Sequence, residues 1–133
     1  MPIIKSKSEE NIKAAHLLVK ENMYASSIHC AYYSCFQLSK YVLMGFCGLD
    51  YSLQDKESKG KDSHNYIPTK LADNLDAKSH LAFLDYNKYI AKLKNLRRKA
   101  DYYNKEITPK EAQVALDSAI ETIKILTNQY QII

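Results

Sequence analysis

Between Ile28 and Val42 apolar side chains return every three or four residues, at Ile28, Ala31, Cys35, Leu38 and Val42. That spacing lays one continuous stripe along an α-helix and fits no strand. Tyr32, Tyr33, Phe36 and Tyr41 widen the stripe, so the helix is apolar or aromatic around much of its circumference. A helix of this kind lies at the centre of a bundle or against a second subunit. It begins near Tyr24, and Gly45 and Gly48 mark its end.

The rest of the chain repeats the period. Ser6 with Glu9 reads as a capping box, which starts a first helix at Ser6 or Ser8. Ile12, Ala15 and Val19 carry it, and its pattern fades near Asn22. Residues Asp50 to Ser63, DYSLQDKESKGKDS, have no apolar period and read as an exposed, poorly ordered loop. A third helix holds Ile67, Leu71 and Leu75. Proline suits only a first turn, so Pro68 places that helix's start between His64 and Pro68. A fourth runs from about Ser79 to Tyr103 on Tyr86, Ile90, Leu93, Leu96 and Ala100. Thr108, Pro109 and Glu111 supply cap, first-turn proline and capping-box acid for a fifth. Ala112, Ala115, Leu116, Ala119, Ile120, Ile123 and Leu126 keep its period almost to the C-terminus.

Five helices with no credible strand predict an all-α, antiparallel four- to five-helix bundle, one domain over residues 1–133. Three glycines and three prolines are too few for the turns of a sandwich or barrel. A 46% share of hydrophobic residues is enough to fill a core. The opening Met-Pro-Ile-Ile-Lys-Ser-Lys lacks the apolar run of a signal peptide, and no stretch reaches the length of a membrane span. Cys30, Cys35 and Cys47 lie in apolar surroundings and are odd in number, which favours reduced core thiols over disulfides. The expected location is the cytoplasm, with no membrane partner. A formal charge of +4 permits a nucleic-acid ligand without requiring one.

Three segments resemble one family. Ala31-Tyr32-Tyr33-Ser34-Cys35-Phe36 is similar to the A-Y-Y-A-x-F pattern of HEPN domains, and Asp62-Ser63-His64 resembles the K-S-H opening of their third helix. Arg97-Arg98-Lys99-Ala100-Asp101-Tyr102 matches R-x-x-A-D-Y, which marks one HEPN branch, and Thr108 to Leu126 resembles that branch's closing helix. The resemblance spans about Ser8 to Leu126. It implies a helical bundle that pairs two-fold. Many members are partners of a small nucleotidyltransferase in two-gene, toxin–antitoxin-like modules, and others are metal-independent ribonucleases built on R-x4–6-H. Here the positions for that histidine hold Tyr102, Tyr103, Asn104 and Lys105, and no histidine follows His80. Acid–base cleavage of RNA needs a group that exchanges protons near neutral pH, and histidine is the side chain that does so untuned. The ribonuclease reading is weaker for it.

Arg97 and Asp101 stand four apart on one helix face, where they can pair. The pair either pins the helix end or grips a phosphate, for which arginine's planar fork is suited. Lys92, Lys94, Arg97, Arg98, Lys99 and Lys105 make this the most basic stretch, with Tyr102 and Tyr103 inside it. Such a patch holds backbone phosphates while rings stack on bases, or is a solvated helix end whose cations complement the dipole. Tyr32 and Tyr33 point about 100° apart, so one belongs to the core and the other to an interface or cleft. His64 either caps a helix or serves the same cleft as a displaced acid or base. His16, His29 and His80 fall on separate elements, without the pairing of a metal site.

The expected function is therefore a HEPN-type binding or regulatory module, a homodimer beside a nucleotidyltransferase, that binds nucleotide or RNA. Arg97, Asp101, Tyr102, His64, Tyr33 and Arg98 are its expected ligand-binding residues. No cofactor, metal or catalytic residue is assigned. The alternatives are a ribonuclease with a non-standard site and a structural oligomerisation module.

Overall fold

The computed structural model describes residues 3–60 and 62–132, and they form six α-helices with no strand. These are α1 (Ile3–Lys20), α2 (Tyr24–Phe46), α3 (Tyr51–Ser58), α4 (Ser63–Lys78), α5 (His80–Tyr102) and α6 (Pro109–Tyr130). The architecture is the all-α bundle that the periodicity predicts. Its axis is α2, which packs against α1, α4, α5 and α6. Ile28, Ala31, Tyr32, Cys35, Leu38 and Val42 are buried along it, so the widened stripe is explained by neighbours on several sides. Tyr86 of α5 crosses this core fully buried, its hydroxyl 2.8 Å from Ser39 Oγ. All three cysteines are free, with Cys35 buried and the other two partly so.

Four sequence expectations are corrected. The first helix is already running at Ile3, so Ser6 and Ser8 are interior and no capping box forms there. Glu9 instead pairs with Lys5 one turn back at 3.1 Å. Ser8 is spent on a reciprocal clasp between helices: its Oγ donates to the Ser34 carbonyl at 2.6 Å, and Ser34 Oγ donates to the Ser8 carbonyl at 2.7 Å. Residues Asp50 to Ser63 are not one loop. Asp50 caps α3 by accepting the Leu53 N–H at 2.8 Å, and Gln54 docks it by donating to the Lys40 and Leu49 carbonyls at 3.2 and 2.8 Å. A helix docked through an amide has no apolar period to read.

The helix before α5 starts at Ser63, with Asp62 as its cap, which leaves Pro68 in the second turn rather than the first. Pro68 has no N–H to offer the His64 carbonyl, so this helix lacks one backbone bond. The helix count therefore rises from five to six. Elsewhere the caps follow the residues. Ser79 closes α4 and caps α5, and Thr108 with Glu111 forms the full capping box of α6. Among the described residues no helix is long and apolar enough to cross a membrane.

Candidate functional site

Two helices that pack side by side, α2 and α5, carry the site, and the start of α4 closes one flank. Arg97 is its centre. It lies on the inward side of α5 in line with Ile90 and Leu93 and is only 6% exposed. Its guanidinium sits 4.8 Å from the centre of the Tyr32 ring and 5.8 Å from that of Tyr102, within cation–π range of both. NH1 is 3.7 Å from Asp101 Oδ2, an ion pair too long to be a hydrogen bond. Nε is enclosed without any hydrogen-bond partner. Buried arginine is normally satisfied through several of its five donors, so this one is held by rings and left under-bonded.

Asp101 faces two ways. Its carboxylate pairs loosely with Arg97 and lies 3.1 Å from His29 Nδ1 through each oxygen. His29 is isolated in the sequence, and the fold brings it against Asp101 at the end of α5. Sequence reading had no means to find it, because the pair spans 72 residues and two helices. With Ala25, Ser26, Cys30, Ala100 and Tyr102, these two residues line an open cleft of about 670 Å³. Small side chains make up much of its lining, together with Tyr102, which is 72% exposed.

On the other flank Tyr32 and His64 form a second pair. Tyr32 is 1% exposed, and its hydroxyl is 2.7 Å from His64 Nδ1. Burial pushes the Tyr32 hydroxyl well above its ordinary range, with Arg97 pulling the other way, so it stays protonated. Burial likewise holds His64 below its ordinary value, reinforced by Arg97 and Lys94 and opposed by Asp62. In the neutral ring, either Nδ1 accepts from the Tyr32 hydroxyl with the ring proton on Nε2, or Nδ1–H donates to that hydroxyl. Tyr33 is half-buried between these groups, its ring 4.7 Å from His29, 5.1 Å from Tyr32 and 5.9 Å from His64.

The expected residues thus separate by depth. Arg97, Asp101, Tyr102, Tyr33 and His64 converge within one set of contacts. Arg98 is exposed on the next position of α5 and contributes charge to the rim. Of the other cations, Lys99 is committed to Glu111 at 2.7 Å, tying α5 to α6. Among the described residues no group of three or more histidines, cysteines and acids is arranged to hold a metal ion.

What the arrangement can do chemically follows from these parts. A buried cation between two rings can bind a phosphate, an exposed ring over small residues can stack a base, and an imidazole oriented by a carboxylate can move a proton. No protein-family model matches the chain, and no curated protein matches it.

Proposed function

We propose that the protein is a HEPN-type binding module that holds a nucleotide or RNA and acts, as a pair of chains, beside a small nucleotidyltransferase in a two-gene module of the toxin–antitoxin kind. The observation that carries the ligand part is Arg97, 6% exposed, between the Tyr32 and Tyr102 rings, with its Nε unpartnered. A cation kept this deep with so few bonds is poorly satisfied alone and well satisfied by an anion. The three segments similar to HEPN domains support the module and partner. The test is fluorescence anisotropy with labelled single-stranded RNA, competed by free nucleotides, on wild type and Arg97→Ala. Binding that falls at least tenfold in the variant supports the reading. No binding by the wild type, with Arg97→Ala altering stability alone, removes the ligand part.

One observation favours a second reading, a metal-independent ribonuclease. The His29–Asp101 pair beside Arg97 offers an oriented imidazole next to a cation, and an imidazole is what the α5 motif lacks when read alone. RNA incubated with wild type and His29→Gln in EDTA separates the readings. Cleavage that the variant loses makes the protein an enzyme, and intact RNA leaves it a binder.

A further inference from the structure

The flank of the site away from the Tyr102 cleft gathers cations whose neighbouring carboxylates are already engaged elsewhere. Lys94, Arg97 and Arg98 stand three and four residues apart on α5 and share a side of that helix. Lys94 Nζ donates to Asn65 Oδ1 at 2.5 Å, a neutral partner at the start of α4. Asp62 is the carboxylate whose charge reaches both Lys94 and His64. It is already engaged: Oδ1 accepts the His64 backbone N–H at 2.9 Å, and Oδ2 accepts from Asn65 Nδ2 at 3.2 Å. Asp101, the other acid, is shared with His29.

Burial holds both Lys94 and His64 below their ordinary values; Asp62 opposes this in each, while Arg98 and Arg97 add to it at Lys94, and Arg97 and Lys94 add to it at His64. His64 turns Nδ1 to Tyr32, which leaves the Nε2 edge of a half-buried ring outside that bond. The independent observation is Arg97 itself, more than nine-tenths buried with an enclosed and unpartnered Nε. The open end of α4 is closed by the Asp62 side chain, which caps it.

We infer that the flank between α4 and α5 is a phosphate subsite, in which Lys94, the His64 Nε2–H and the Arg97 guanidinium hold the phosphate group of the ligand while the Asp101 carboxylate keeps it off the Tyr102 side. Lys94 exchanges the Asn65 carbonyl for a phosphate oxygen, which turns a neutral contact into a charge-assisted one. The ligand's base then falls in the cleft lined by Ala25, Ser26, Ala100 and Tyr102. The anion chemistry stands on this flank alone. That the phosphate belongs to a nucleotide or RNA rests on the function proposed above.

The probe is inorganic phosphate, followed through the histidine ring signals in NMR of the whole chain, with His29→Gln and His64→Gln assigning the peaks. Saturable movement of the His64 signals, with those of His29 still, is expected. Lys94→Met keeps the apolar stem and should weaken phosphate about tenfold or more. Movement of His29 in place of His64, no saturable shift, or an unweakened Lys94→Met overturns the subsite. A single-stranded uridine hexanucleotide is then added as competitor. If phosphate behaves as expected and the hexanucleotide fails to displace it, the subsite stands and the nucleotide reading falls. If the hexanucleotide binds wild type and Lys94→Met alike, the reverse holds.

Discussion

His29 on α2 and Asp101 on α5 meet through Nδ1 and both carboxylate oxygens at 3.1 Å, and the same carboxylate lies 3.7 Å from Arg97. Asp101 is therefore the ion partner that an exposed imidazole and a buried guanidinium share, its own side chain 18% exposed. Removing it leaves the Arg97 charge enclosed with rings alone. Asp101→Ala should lower stability by about 1–2 kcal/mol, short of a fully buried pair because the arginine contact is long. Urea denaturation of wild type, Asp101→Ala and Arg97→Met measures it. Arg97→Met should be milder than Asp101→Ala, since it removes the charge along with its need for a partner. The opposite order would show that the pair is not what holds Arg97 in place.

A pH effect follows from His64. Its folded value is lowered by burial first and by Arg97 and Lys94 after that, so the folded state binds fewer protons than the unfolded chain just below the unperturbed value. Stability then rises with pH through that window and falls as pH drops from about 6.5 toward the folded value. His64→Gln removes the titration, and its stability curve should be flatter than that of the wild type between those limits. Thermal unfolding across a pH series compares the slopes. Parallel curves would mean that His64 titrates alike in both states.

How much of this was legible in the sequence depends on whether partners lie within one helix. Arg97 and Asp101 could be read together because four residues is one turn, and Tyr32 with Tyr33 could be split into core and cleft because adjacent positions diverge by about 100°. The structure buries Tyr32 and leaves Tyr33 half-exposed. His29 was invisible because its partner is 72 residues away. The start of the first helix differs from its sequence expectation for a related reason: Ser8 serves Ser34 on α2 across 26 residues, while a local rule assigns it to a cap. Polar residues that work between helices carry no period, and period is what sequence reading detects.

Gln54 shows the same limit in α3. It is 1% exposed and donates from Nε2 to two backbone carbonyls, Lys40 and Leu49. Otherwise α3 is tied down by its Asp50 cap and by the hydrogen bond from Tyr66 to Glu57. Gln54→Ala removes both donors and leaves those carbonyls buried, and α3 should undock without unfolding the bundle. Hydrogen exchange should show lost protection over residues 51–58 with α2 and α5 protected as before. Equal loss in all helices would make α3 part of the cooperative core.

Tyr102 separates binding from stability most cleanly. Its ring is 72% exposed and touches the rest of the site through Arg97 at 5.8 Å, so little core packing depends on it. Tyr102→Ala should shift stability by no more than about 0.5–1 kcal/mol, the range of an exposed cation–π contact. If a base stacks on the ring, the same change weakens RNA by about 1–3 kcal/mol, or roughly five- to 150-fold. Tyr102→Phe keeps the ring and should restore most of that loss, which distinguishes stacking from a role for the hydroxyl. Anisotropy titrations of the three proteins at one salt concentration read it directly. RNA affinity unchanged in Tyr102→Ala would move the base out of the cleft and leave Arg97 with the phosphate alone.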